Sequence, residues 1–188
     1  MVNQPKPTVA IFGGSFDPPH LGHQQIVKIA NESLEIDTLL VVPAYLNPFK
    51  SSSLASAKQR LAWCHTLFDT VPNVQVEDYE IKEGKSTFTS DSVKHFNIAY
   101  NVKYLIIGSD NLASLSKWHN YEWLNENIIW VIITRDGHTL KTDGLREWKV
   151  LSLDAKISST DIRTFKDLHY VDNKIKKSVQ DVLEGNNK

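Results

Sequence analysis

The sequence predicts an α/β fold: one mostly parallel sheet of five to six strands with helices on both faces. Three observations carry this. Short apolar runs recur along the chain with helical segments between them, the alternation expected of a parallel sheet. Two of the runs, Tyr104 to Ile107 (YLII) and Ile128 to Ile133 (IIWVII), are continuously apolar, as strands buried on both faces must be. The first run, Val9 to Phe12, ends in Gly13-Gly14 and leads into helical spacing, which marks a strand-to-helix turn.

In order, the strands expected are Val9 to Phe12, Thr38 to Val42 (TLLVV), Val74 to Val76, the two central runs, and a short last one at Val150-Leu151. Helical spacing covers Leu21 to Leu34, Lys58 to Phe68, Thr89 to Tyr100 and Tyr121 to Asn125. Two more helices, Ile162 to Leu168 and Asn173 to Leu183, close the chain. The longest loops, Pro43 to Ala57 and Arg135 to Glu147, have the length of binding loops or lids. There is no internal repeat and no low-complexity tract, so residues 1 to 188 read as one Rossmann-like domain. Ligands of such sheets bind at the carboxyl ends of the strands, near the switch in strand order.

Composition narrows the function classes. The chain is 41% hydrophobic and 23% charged, with a formal net charge of -1. That balance offers no global basic field for nucleic acid. A single cysteine, Cys64, cannot form an internal disulfide and removes Cys-rich zinc sites, which fits a cytoplasmic protein. The N-terminus lacks a secretory pattern, and no apolar run approaches the roughly 20 residues that span a bilayer. Oligomeric state is left open, a homo-oligomer included.

The chemistry concentrates in residues 13 to 23, GGSFDPPHLGH. A helix start offers unpaired N–H groups and the positive end of the helix dipole, and so suits an anion. Gly13 and Gly14 permit unusual backbone angles and close approach to the main chain. His20 and His23, three apart on one helical face, add two donors for phosphate, and Gly22 between them leaves room for a bulky group, such as a ligand, against the first turn. The alternative reading is a Gly/Pro turn with two surface histidines. A metal reading lacks a third ligand, and the string is neither a GxGxxG nor a Walker loop. Residues 157 to 163, ISSTDIR, form a second candidate. Ser158 and Asp161 have capping-box spacing. Ser159, Thr160 and Arg163 then bring hydroxyls and a guanidinium to another helix start.

GGSFDPPHLGH resembles the HxGH motif of the nucleotidyltransferase superfamily, in the form found in bacterial nicotinate-nucleotide adenylyltransferases, and ISSTDIR resembles its ISxTxxR motif. The two stand in the family's order and span nearly the whole chain. The resemblance implies that His20 and His23 hold the ATP triphosphate, with Arg163, Ser159 and Thr160 closing over it. It also places Gly13, Gly14, Ser15, Phe16 and Gly22 against ATP, and Gly108 and Asp110 of Gly108-Ser109-Asp110 at the ribose. Thr87, Phe88 and Thr89 resemble the segment whose amides receive the nicotinate carboxylate, with Phe88 replacing the usual tyrosine; alternatively, a threonine there caps the next helix. Trp118 matches the tryptophan that stacks on the nicotinate ring, a contact of roughly 1–3 kcal/mol by analogy with base stacking. Trp63, Trp123, Trp130 and Trp148 read as packing. Where many members read PPHK or PPHR, this chain has Asn47-Pro48-Phe49-Lys50: Lys50 keeps the cation, whereas Phe49 cannot donate a hydrogen bond. His65, His95, His119, His138 and His169 belong to no motif and read as surface or packing residues.

The implied reaction transfers AMP from ATP to nicotinate mononucleotide and releases pyrophosphate. The nucleophile is already an anion, so neither a general base nor a covalent intermediate is required. Mg²⁺ is expected on the substrate phosphates, without a dedicated protein cluster. Nicotinamide mononucleotide or phosphopantetheine as acceptor keeps the same chemistry. A nucleotide-binding module without turnover is the reading of a different class, and the presence of His20, His23 and Arg163 weighs against it.

Overall fold

A computed structural model describes residues 4–134, 140–153 and 157–186. Six strands form one sheet: β1 (Thr8–Gly14), β2 (Thr38–Pro43), β3 (Val74–Val76), β4 (Asn101–Gly108), β5 (Ile129–Thr134) and β6 (Trp148–Ser152). All pairings are parallel, in the order β3-β2-β1-β4-β5-β6. The strand order reverses at β1, which pairs with β2 on one side and β4 on the other. A crevice therefore opens between the carboxyl ends of β1 and β4.

Both faces of the sheet are covered, for a reason visible along each central strand. Successive side chains point to opposite faces. Ala10, Phe12, Tyr104, Ile106, Val131 and Ile133 join one buried cluster, while Val9, Ile11, Leu105, Ile107, Trp130 and Ile132 join the other. Helices α1 (Leu21–Ser33), α2 (Ala57–Phe68) and α7 (Asn173–Leu183) supply the first cluster. Helices α4 (Thr89–Phe96) and α5 (Tyr121–Asn127) supply the second.

Besides strand and helix ends that shift by one to three residues, two elements and two helix boundaries differ from the sequence reading. A five-residue helix, α3 (Tyr79–Glu83), and a 3₁₀ segment, Ser109–Lys117, stand where no element is expected. The first is too short to show a period, and the second, SDNLASLSK, is rich in serine and polar residues. Helix α4 ends at Phe96 rather than Tyr100, because the Asn97 side chain turns to accept the Val102 amide at 2.9 Å and starts β4. Helix α6 runs Ser159–Phe165, three residues earlier than the apolar spacing suggests. Its start is set by the Ser158 hydroxyl oxygen, which accepts the Asp161 amide at 3.1 Å, and its end by Lys166 in the left-handed region. The loop expected from Arg135 to Glu147 lies partly outside the described residues, as does His138. No helix among the described residues is long and apolar enough to cross a membrane.

Candidate active site

Strand β1 leaves the sheet at Gly13-Gly14, and neither glycine needs a left-handed backbone. That conformation falls on Phe16, φ +48°. The glycines serve space instead. A Cβ on Gly14 would stand 3.1 Å from the Phe16 ring, which folds back beneath it, buried and edge-on to Phe12 at 5.4 Å. Burial of that ring offsets the backbone strain, which sits at the turn that shapes the site.

His20 is the N-cap of α1 rather than a residue within it: its backbone is extended and its side chain 1% exposed. His23, in the first turn, accepts the His20 amide on Nδ1 at 3.1 Å. An imidazole that accepts on Nδ1 carries its proton on Nε2, so His23 presents a donor there. The two rings lie 3.8 Å apart and tilted by 34°. Gly22 does not leave room for a ligand, as the sequence suggests. A Cβ there would stand 3.0 Å from His20 Cε1 and Nδ1, so the glycine accommodates the His20 ring itself.

The far motif docks onto this turn. Ser159 Oγ donates to the Pro18 carbonyl at 2.9 Å, and Arg163 Nη1 donates to the Asp17 carbonyl. Arg163 Nη2 reaches Thr160 Oγ1 at 3.2 Å, which fixes the guanidinium plane. Ser158 hydroxyl donates to the Asp161 carboxylate at 2.6 Å and its oxygen accepts the Asp161 amide, so a side-chain N-cap and the docking surface coexist on one helix start. On the other side, Lys50 Nζ donates to Ser15 Oγ at 3.3 Å.

These residues line a cleft of about 800 Å³ at the β1/β4 crevice. Gly13, Gly14, Ser15, Phe16, His20, His23, Ser159, Thr160 and Arg163 form one end. Gly108 and Asp110 line it where β4 passes into the 3₁₀ segment, and Lys50, Thr87, Phe88, Thr89 and Trp118 also line it. Of the residues singled out in the sequence, Gly22 alone is not in its wall. A Cβ at Gly108 would collide with the Asp110 carboxylate, so this glycine lets Asp110 fold back over the strand end. Trp118 packs edge-on to Trp130 at 6.3 Å, which holds one part of the ring in the core. The threonine-cap reading of residues 87 to 89 fails: the N-cap of α4 is Phe88, which offers no side-chain cap, and Thr87 Oγ1 instead donates to the Lys85 carbonyl at 3.3 Å. The opening amides of α4 are thus left to a ligand or to water.

Four residues matter that the sequence reading did not single out. Arg60 is 1% exposed, and its guanidinium donates to the carbonyls of Ser15, Ala44 and Tyr45, each at 2.6 Å, and of Ala55 at 3.3 Å. It ties the loop after β2 to the turn after β1. Burial pulls its pKa down while the Asp17 carboxylate pulls it up, and an arginine retains its charge under either influence. Asp17, buried alongside, accepts the amides of Leu54 and Ala55 at 2.8 and 2.9 Å. Periodicity contains a signal for Arg60: it shares the buried stripe of α2 with Trp63, Cys64 and Leu67. His119, read from sequence as a surface or packing residue, is exposed as that reading has it, but it also lines the cleft and stacks on Phe88 at 4.4 Å. Glu80 on α3 also lines it, nearly buried. Trp63 and Trp130 are core, as expected, and Trp148 is exposed.

Among the described residues no three His, Cys, Asp or Glu side chains come together as a metal site. The donors contributed by His20, His23, Ser159, Thr160 and Arg163 are imidazole, hydroxyl and guanidinium groups, which suit anions.

A family model described as cytidylyltransferase-like matches residues 11–165. A protein of Sulfurovum sp. (strain NBC37-1) named probable nicotinate-nucleotide adenylyltransferase is 62% identical over 98% of both chains. One of the same name from Aliarcobacter butzleri is 41% identical over 94% of this chain and 97% of its own. The fold is shared with Plasmodium falciparum nicotinic acid mononucleotide adenylyltransferase complexed with NaAD, at a TM-score of 0.72 and 24% identity over 96% of each chain. On these matches the chain belongs to the nicotinate-nucleotide adenylyltransferase family, among the cytidylyltransferase-like proteins.

Proposed function

We propose that the protein transfers AMP from ATP to nicotinate mononucleotide, forming deamido-NAD and pyrophosphate, a step of NAD biosynthesis that belongs in the cytoplasm. The observation that carries this reading is the junction of the two chain ends. Ser159 and Arg163 dock on the carbonyls of Pro18 and Asp17, immediately before His20. Chain segments more than 130 residues apart thereby converge on one cleft, rich in phosphate donors, at the switch of the sheet. The same junction, with one continuous sheet, supports reading residues 1–188 as a single nucleotidyltransferase domain.

The acceptor's phosphate oxygen attacks the α-phosphorus of ATP in line with the departing pyrophosphate. Positioning and charge neutralisation supply the catalysis. His20, His23 and Arg163 act on the leaving group, and Lys50 reaches the phosphates from the opposite loop. Mg²⁺ accompanying ATP would neutralise charge on the phosphates and would need few protein ligands, leaving His20, His23, Arg163 and Lys50 as the protein's own donors there. Gly108 and Asp110 serve the ribose, and Gly13 to Phe16 the nucleotide path. The uncapped start of α4 receives the acceptor's ring carboxylate, with Trp118 against the ring.

Incubation with ATP, Mg²⁺ and, in turn, nicotinate mononucleotide, nicotinamide mononucleotide and phosphopantetheine tests the assignment by pyrophosphate release. The expected result is preference for the nicotinate acceptor. ATP binding with no turnover of any acceptor overturns the enzymatic reading, and preference for another acceptor overturns the specificity. Gly108→Ala displaces the Asp110 carboxylate and is expected to raise the KM for ATP about tenfold, the effect of losing one hydrogen bond worth about 1.4 kcal/mol. An unchanged KM removes Asp110 from the ATP site.

A further inference from the structure

Among the described residues, Glu80 is the buried acid that lines the cleft, 8% exposed. Its Oε1 accepts the Ser92 hydroxyl at 2.7 Å, which sets the carboxyl against the N-terminal half of α4, the helix whose start carries no side-chain cap. The proposed mechanism gives Glu80 no task, and a carboxyl beside a helix start that receives another carboxylate calls for an explanation. Two ionised carboxylates close together, one of them buried, repel each other, and the buried one then tends to keep a proton.

We propose that Glu80 is a specificity-determining residue for the acceptor: neutral, it admits a ring-borne carboxylate to the start of α4, and ionised, it repels that group and spares an uncharged ring amide. This rests on the acceptor site assigned above. Burial pushes the Glu80 carboxyl up to about 7, against the opposing hydrogen bond from Ser92, so both forms are populated near neutral pH. Most of the charged groups on the elements around it have other partners, Glu77 just before α3 among them, which accepts from the Gln75 amide. On α3, Lys82 pairs with Asp78 at 3.0 Å, Tyr79 stacks on His95 of α4 at 3.7 Å, and Glu83 pairs with Lys85 at 3.7 Å. On α4, Asp91 lies in the first turn, and the Lys94 ammonium covers the Trp123 ring at 4.9 Å. From α2, the Arg60 guanidinium binds main-chain carbonyls, His65 contacts Asp69 at 2.9 Å, and Lys58 stands at the helix start. Strand β2 brings no titratable group. Across the cleft, Lys50 contacts Ser15. Desolvation by the fold, with no ion pair, sets the state of Glu80.

The test is the ratio of kcat/KM for nicotinate mononucleotide to that for nicotinamide mononucleotide, followed from about pH 6 to about pH 8.5; the acceptor phosphate is common to both and cancels. In the wild-type protein the ratio is expected to fall about tenfold over that range, the equivalent of a pKa displaced by one unit when the acid binds. In Glu80→Gln, which is permanently neutral and keeps an acceptor for the Ser92 hydroxyl, the ratio is expected to stay flat and above the wild-type value at the alkaline end. A flat wild-type ratio overturns the inference without recourse to any variant, as does an equal slope in Glu80→Gln. Failure to turn over nicotinate mononucleotide at any pH instead overturns the acceptor assignment, and this inference with it.

Discussion

His23→Ala is expected to lower kcat by about 100-fold or more, the loss seen when a charge-stabilising donor is removed from an acyl- or phosphoryl-transfer site. The side chain has two tasks that alanine abolishes. In the proposed mechanism its Nε2–H faces the charge that develops on pyrophosphate as the α-phosphorus bond breaks. Its Nδ1 accepts the His20 amide and so holds the first turn of α1 beneath His20. Both losses act on the transition state more than on bound substrates, so kcat is expected to change more than either KM. Steady-state rates at saturating ATP and acceptor measure this, alongside a thermal melt to show that the fold persists. Near-normal turnover removes His23 from the catalytic set.

Arg60→Met is expected to destabilise the protein by about 3–5 kcal/mol, the range found when one partner of a buried charged network is removed. The substitution preserves much of the volume but leaves the carbonyls of Ser15, Ala44, Tyr45 and Ala55 without their donor. It also removes a cation that interacts with the buried Asp17 carboxylate, which accepts two loop amides as well. At 2–4 °C per kcal/mol for a chain of this size, the melting midpoint falls by about 10 °C. Urea unfolding gives the free energy directly. A loss under about 1 kcal/mol shows that water replaces the guanidinium in the loop, and that the network is not what fixes it. The KM for the acceptor also rises, because Lys50 and Phe49 ride on the loop that Arg60 holds.

Much of this was legible before folding. Burial on both faces along β4 and β5 explains why YLII and IIWVII read as central strands, and α1, α2 and α7 fall within a residue of their apolar spacing. What stayed hidden was short or set by remote contacts. Helix α3 is five residues long, less than two turns, and so carries no period. The boundary of α6 followed its cap rather than its apolar spacing, because a satisfied start outweighs one extra hydrophobic turn. Gly22 was misread for a different reason: the atoms that require its missing side chain belong to His20, whose ring direction no local pattern specifies.

Phe49 shows the same limit at the site. The sequence records that it cannot donate a hydrogen bond, while the structure shows it 69% exposed on the cleft rim, open to contact with an acceptor ring.

By itself the sequence determined the alternation of strands and helices, and with it the sheet and the edge where a ligand binds. It also determined the chemical inventory, two imidazoles, a guanidinium and hydroxyls at helix starts, because residue type and spacing are local properties. The tertiary structure alone decided that Arg163 meets Asp17, that Arg60 holds two loops by their carbonyls, and that Glu80 lies buried in the cleft wall against Ser92. Each depends on long-range proximity and on water excluded by the whole fold, and neither quantity is written in any single stretch of chain.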